Sequence, residues 1–570
     1  VVLHLNFDIE KIPFSRFGSY FALSSSEDGK EVYIRDVHGG DETPSEIFKL
    51  ELTEGEIPQP FLVEAEEYSL KLYNPSDKEK YIEVCIPDYE VMRIRANNCG
   101  IRLVMIKKKY DHVMIYEKNK LEFHSYSKEI KLMLSLLEGN INLDAPWDII
   151  GNNHVIMDFN EEEHKGIDIA LESYKTIWKP KEYLDFEESK NKVKAEYESW
   201  KSLVLSVPEE YEKSRDLASY ITWSSVVKPE GMLLRPAMYM SKNWMYNIWS
   251  WDNCFNAMTL SRNNPELALH QLMLFIDHQD ESGAFADFIN DKYSSFSCVK
   301  PPIHAWAFKY MQQENDYFKQ EEVVEKVYEA LCLNTKYWLN YRTYEKHGLP
   351  FYKHGNDSGW DNASIFHKGL PVQAPDLSAH LIKQMYILSE LAKDLNKKSE
   401  EEYWIEEAEQ LLDKLIKLLW KEDKFVAIKS DTGEVIKEGN SLILLLPIVI
   451  GNRLPKEVKD KLLEELKKEG KYLSKYGLAT EAMDSPLYKE NGYWLGPIWA
   501  PVMMLIIDSL KECGEEKFAK ELAERFCNAT LLGGMAENFD PLTGRGLVDP
   551  AFTWTSSVFL MLANRYLMNK

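Results

Sequence analysis

The chain has 570 residues, too many for one ordinary hydrophobic core, so two or three domains are expected. Apolar residues make up 45% and charged residues 28%, the balance of a water-soluble globular protein. With 68 basic and 92 acidic side chains the formal net charge is −24, which argues against nucleic acid or an anionic membrane as partner.

From Val1 to about Tyr174 apolar and polar residues alternate between short Asp, Gly, Asn and Lys turns. Examples are 1–7, Tyr68 to Tyr73 and Ile130 to Leu134. Many short strands at this spacing predict an antiparallel β-sandwich, assigned to residues 1–178. A charged helix from Tyr183 to about Val204 reads as a linker, bounded by Trp178-Lys179-Pro180 and Val207-Pro208 and assigned to 179–207.

From Glu209 the pattern takes a helical period. Twelve helices are expected, at Glu209–Val227, Asp252–Ser261, Pro265–Gln279, Pro302–Gln313, Glu321–Tyr341 and Asp376–Leu395, then at Glu400–Trp420, Asn440–Ile450, Lys456–Lys468, Pro497–Glu512, Glu515–Asn528 and Phe552–Met568. Short and long connections alternate, so if successive helices are antiparallel every long loop emerges at one end. The fold class expected is therefore an N-terminal antiparallel β-sandwich followed by an all-α (α/α)6 barrel over 208–570. The apolar run Ser441 to Ile450 is too short to span a membrane. Seven cysteines, an odd number without C-x-x-C spacing, suggest reduced thiols and a cytoplasmic location. No signal peptide is legible.

The long loops carry the chemistry. The first ends Trp249-Ser250-Trp251-Asp252-Asn253, and the second holds Gln279 to Asp287. The third is Gly355-Asn356-Asp357-Ser358-Gly359-Trp360-Asp361-Asn362. The fifth holds Thr480-Glu481 and Tyr493 to Trp499, and the sixth Gly533 to Pro541, with Glu537. Asp, Asn, Ser and Gly also make ordinary turns, and a tryptophan is more often core than platform. Sugars nevertheless call for this mixture, because indoles cover the C–H faces of the ring while carboxylates and amides bind hydroxyls. Glycoside hydrolysis needs one carboxylic acid to protonate the departing oxygen and a second carboxylate to activate water or attack. Asp361 and Glu537 lie on loops expected to converge. On pattern alone Asp252, Asp287, Asp357 and Glu481 compete with them.

Trp251-Asp252, Ser358 to Asn362, Tyr493 to Trp499, Glu537 to Gly544 and Phe552 to Thr555, in this order, resemble the inverting (α/α)6-barrel glycosidases. These are the trehalases, the processing α-glucosidases of glycoside hydrolase family 63 and bacterial mannosylglycerate hydrolases. The likeness covers about Arg235 to the C-terminus. It implies Asp361 as general acid and Glu537 as general base. It places Trp251, Asp252, Gln279, Trp494 and Trp499 near the substrate, and Trp360, whose flat face suits a sugar ring, and Asn362 join them as candidates from the third loop. Two departures bear on the leaving-group side: Ile365-Phe366-His367-Lys368 stands where an Arg is frequent, and Phe539 stands where Tyr is common.

The expected activity is inverting exo-hydrolysis of a small α-glycoside, with an α-glucoside favoured. The expectation includes no cofactor, no metal, and no nucleic-acid or membrane partner. A disaccharide phosphorylase and an inactive sugar-binding protein on the same barrel are the alternatives.

Overall fold

A computed structural model describes residues 6–162, 166–344 and 348–568. Of the segment 1–7 expected as a strand, residues 1–5 lie outside the described residues, and Asn6 and Phe7 belong to no strand. The strands that follow form two antiparallel sheets. The first runs, in spatial order, Phe21–Ser25, Val32–Asp36, Glu46–Glu54, Gly100–Met105, Ile156–Asn160 and Asn140–Asp144, with Ile57–Pro58 paired beside Glu46–Glu54. The second runs His112–Glu117, Lys120–Ser125, Ile130–Glu138, Ile167–Tyr174, Val91–Asn97, Asp77–Asp88, Leu70–Asn74 and Leu62–Ala65. Alternate residues such as Phe48, Leu50 and Leu52 of the first sheet are fully buried. Phe48 meets Phe123 of the second sheet edge-to-face at 5.0 Å, which places the sandwich core between the sheets.

Helix α1 (Phe186–Leu203) follows. Asp185 caps it, accepting from the Glu187 amide at 2.8 Å, and Phe186, Val193, Tyr197 and Trp200 form its buried stripe. Among the described residues, eleven further α-helices and one long 3₁₀ helix, beside shorter 3₁₀ turns, build the second half. They are α2 (Glu212–Ser224), α3 (Asp252–Leu260), α4 (Pro265–Ile276), α5 (His304–Glu314), α6 (Glu321–Tyr341) and α7 (Pro375–Asp394), then α8 (Lys398–Leu419), the 3₁₀ helix Leu442–Arg453, α9 (Lys456–Leu466), α10 (Ala500–Glu512), α11 (Glu516–Gly533) and α12 (Thr553–Leu562). Each helix expected from periodicity has its counterpart here. Pro265 and Pro375 open their helices at the position where a missing N–H costs nothing.

Packing closes a ring in which α3 touches α5, α5 touches α7, and α7 touches the 3₁₀ helix. The ring continues through α10 and α12 back to α3. The alternate helices α2, α4, α6, α8, α9 and α11 pack outside it, which is an (α/α)6 barrel. The inner helices all follow long loops, so their N-termini and those loops share one end. The eighth barrel helix differs from the expected α-helix. Pro447 lies inside it and Gly451 breaks it at φ 55°, so this apolar run tightens into 3₁₀ turns. Among the described residues no helix is long and apolar enough to cross a membrane. All seven cysteines are free.

The sandwich is bound to the loop end of the barrel. Arg35 donates to the carbonyls of Lys242 and Asn243, at 2.9 and 2.7 Å. Lys242 is buried, and its ammonium reaches Ser15 Oγ, Arg16 O, Ser19 O and Val226 O at 3.1, 3.2, 2.5 and 3.2 Å. Burial without a carboxylate holds this lysine well below its ordinary pKa.

Candidate active site

Two small rim sheets organise the loop end. Ile248–Trp249, Phe288–Ile289 and Ser294–Ser295 pair in one, so the first and second long loops are joined just before Asp252 opens α3. Ile498–Trp499, Asn538–Phe539 and Gly546–Leu547 pair in the other, which brings the fifth loop to the sixth beside Glu537.

The third loop is held by Asp357. Its carboxylate accepts from the amides of Val299, Lys353 and His354 at 3.1, 2.7 and 3.2 Å, and from Arg342. The chain then turns through Gly359 at φ 72°. A Cβ at Gly355 would lie 2.0 Å from the Asp361 carbonyl oxygen, and one at Gly359 would lie 2.4 Å from Trp251 Cζ2. Both glycines therefore let the backbone approach its neighbours closely, and Gly359 also needs the left-handed conformation. Gly359→Ala is expected to lose about 1–3 kcal/mol of stability, checked by denaturant unfolding, because the ring behind it must move.

Four tryptophans expected near a sugar, Trp251, Trp360, Trp494 and Trp499, are each no more than 2% exposed. Trp494 stacks on Trp499 at 3.9 Å and 6° and packs on Trp360 at 4.9 Å. Trp251 and Trp499 both meet Trp554 edge-on, at 5.9 and 5.6 Å. The indoles thus form one packed aromatic cluster rather than separate open platforms. Asn362 ties loops together, donating to Gly492 O at 3.0 Å and accepting from the Trp494 amide at 2.9 Å. The Gln279 amide donates to Gly283 O and Ala330 O, both at 2.9 Å, a turn-holding task.

Six carboxyls compete for the chemistry, and their partners divide them. Asp357 is spent on the four donors named above. Glu481, fully buried, is spent on Ser364 Oγ at 2.7 Å, the Asn440 amide at 2.5 Å and Ser485 Oγ at 2.5 Å. Asp252, Asp287, Asp361 and Glu537 remain. Asp252 Oδ1 and Glu537 Oε2 are buried with no hydrogen-bond partner among the described residues. Burial pushes Asp252 up to about 8, with Lys300 opposing and Asp287 and Asp361 adding to it. Burial also pushes Glu537 up to about 8, helped by Asp549 and opposed by the Tyr493 hydroxyl, which donates to Oε1 at 2.9 Å. Asp361 is half-buried. Burial raises it, Lys300 opposes, and Asp287 adds to the rise.

Tyr493 and Lys300 were not among the sequence candidates. Tyr493 sits at φ 63°, an uncommon state for a large side chain, and its carbonyl accepts from Trp499 Nε1 at 2.9 Å. Burial raises the pKa of its hydroxyl, and the charges of Glu537, Asp361 and Asp252 add to that rise. Asp549 supports the sixth loop: its carbonyl accepts the Glu537 amide at 2.7 Å, while its carboxylate accepts from Ser241 Oγ at 2.7 Å and the Trp244 amide at 3.2 Å.

Over 115 residues, 20% of this chain and 27% of the relative, the protein is 26% identical to a mannosylglycerate hydrolase of Thermus thermophilus. The chain spans between 13% and 27% of the length of the curated relatives it matches. A crystal structure of a family 63 mannosylglycerate hydrolase from Thermus thermophilus in complex with glucose superposes with TM-score 0.54 at 19% identity, over 61% of this chain and 99% of that one. A bacterial glucoamylase complexed with acarbose superposes with TM-score 0.60 at 11% identity, over 99% of this chain and 95% of that one, so sandwich and barrel recur together. The model of the mannosylglycerate hydrolase MGH1-like glycoside hydrolase domain matches residues 245–555, more than half of the chain, and the protein belongs to that family.

Proposed function

We propose that the chain is an inverting exo-glycoside hydrolase acting on a small α-glycoside, with Asp361 as general acid and Glu537 as general base. The observation that carries this reading is the division of the carboxyls. Among the described residues Glu537 keeps Oε2 without a hydrogen-bond partner while Tyr493 fixes Oε1, and the charge of Asp361 on the third loop acts on the same tyrosine. Asp361, raised by burial, holds a proton for the departing oxygen. Glu537, once ionised, takes a proton from water on the other face of the ring. Inversion needs room for that water between the two carboxyls, about 6.5–9.5 Å. Asp252 at the start of α3, with Trp251 behind it, binds hydroxyls of the sugar being released.

An α-glucoside is the favoured substrate, and the name of one partial relative, a probable mannosyl-oligosaccharide glucosidase of Schizosaccharomyces pombe, supports it. An α-mannoside with an acidic aglycone is the second reading, supported by the several mannosylglycerate hydrolases among the relatives. Proton NMR on a panel of α-disaccharides and mannosylglycerate, with and without phosphate, decides. Release of β-sugar without phosphate is the expected result. Release of α-sugar would sink the inverting mechanism, and turnover only with phosphate would make the protein a phosphorylase.

A further inference from the structure

Lys300 is an ammonium placed among the carboxyls of the site. Its side chain is 7% exposed, and Nζ lies 2.9 Å from Asp287 Oδ1. It also donates to the Asn356 carbonyl at 2.7 Å. The preceding residue adds a second tie from this loop to the third, from the Val299 amide to Asp357 Oδ1 at 3.1 Å. Pro301 and Pro302 follow and stiffen the backbone into α5. The ammonium thus ties the second long loop to the third through Asn356, a few residues from Asp361, while its ion pair with Asp287 stays within the second loop.

We propose that Lys300 is a positioning residue for proton donation: its ammonium locks the loop that carries Asp361 and sets a fixed positive charge against the carboxyl cluster. This rests on the reading of Asp361 as the acid. Around Asp361 the charged and titratable groups are Lys300, Asp287 and Cys298 on the second loop and His354 on its own loop. Asp252 at the start of α3 and Tyr493 on the fifth loop, bonded to Glu537, join them. Lys300 opposes the rise that burial and Asp287 impose on Asp361. Without it the acid would hold its proton to higher pH and release it less readily to a poor leaving group.

The test uses the full chain and the glycoside identified by NMR, followed as kcat/KM against pH. In Lys300→Met the alkaline limb is expected to move up by about one pH unit and kcat at neutral pH to fall about tenfold, while the acid limb stays in place. Lys300→Arg restores the limb. Asp287→Asn, which removes a negative neighbour and keeps the ammonium, moves the limb down and supplies the answer should Lys300→Met fail to fold. An unmoved alkaline limb in folded Lys300→Met, or in Asp287→Asn, overturns the proposal. Asp361→Asn separates the two levels. If it abolishes the alkaline limb and Lys300→Met leaves that limb in place, only the role of Lys300 falls. If the limb survives Asp361→Asn, the reading of Asp361 falls first.

Discussion

Asp361→Asn is expected to reduce hydrolysis of a sugar–sugar bond by about 10²–10⁴-fold, the usual worth of a positioned proton donor. The amide keeps the shape of the side chain and cannot supply the proton. A glycoside with an acidic phenol as leaving group needs no such proton, so its turnover should fall far less. The fold should be untouched, because no hydrogen bond or ion pair to another side chain holds Asp361 among the described residues. Rates on both substrates, with a thermal unfolding curve, check this. Equal losses on both substrates would place the proton donor elsewhere, with Asp252 and Asp287 the groups to mutate next.

Glu537→Gln should abolish turnover of both substrates alike, because water must be activated whatever group departs. The pH dependence follows from the environment of Glu537. A base works ionised, so activity rises as pH climbs through its pKa, and burial sets that value near 8 rather than in the ordinary glutamate range. The acid limb of kcat/KM is therefore expected to lie unusually high. The Tyr493 hydroxyl favours the carboxylate, so Tyr493→Phe should push the limb further up, by about one to two pH units. A limb that stays in place in Tyr493→Phe would show that a different carboxyl sets it.

The architecture was readable because its signals are local. Period-two alternation up to Tyr174 and period-three-to-four apolar spacing from Glu209 specify sheet and helix without tertiary knowledge, and the alternation of loop lengths specifies one functional end. The 3₁₀ form of Leu442–Arg453 was less visible, although Pro447 and Gly451 announce it. Site chemistry was legible only as residue type and loop. Asp357 and Glu481 look like Asp361 and Glu537 in sequence, and only their hydrogen-bond partners show that they are committed to the loops. Asn362 and Gln279 likewise carry amides suited to a sugar, and both amides are engaged with backbone. Lys300 has no signature in the sequence, because a lone lysine before two prolines forms no motif, and its weight comes from an aspartate thirteen positions earlier, brought to it by folding. Tyr493 was in view, but its positive φ, which turns the hydroxyl to Glu537, has no signature in a Gly-Tyr-Trp run.

The lysine enclosed by oxygens of the sandwich has a consequence for how this protein can be divided. Ser241, Asn243 and Trp244 flank Lys242, and the same stretch grips Asp549, whose carbonyl carries the Glu537 amide. Cutting the chain after the connecting helix would leave Lys242 without three of its four oxygen acceptors and loosen that grip. The sandwich is therefore no detachable module awaiting a partner of its own. A replacement domain would have to bring its own ring of oxygen acceptors to that lysine.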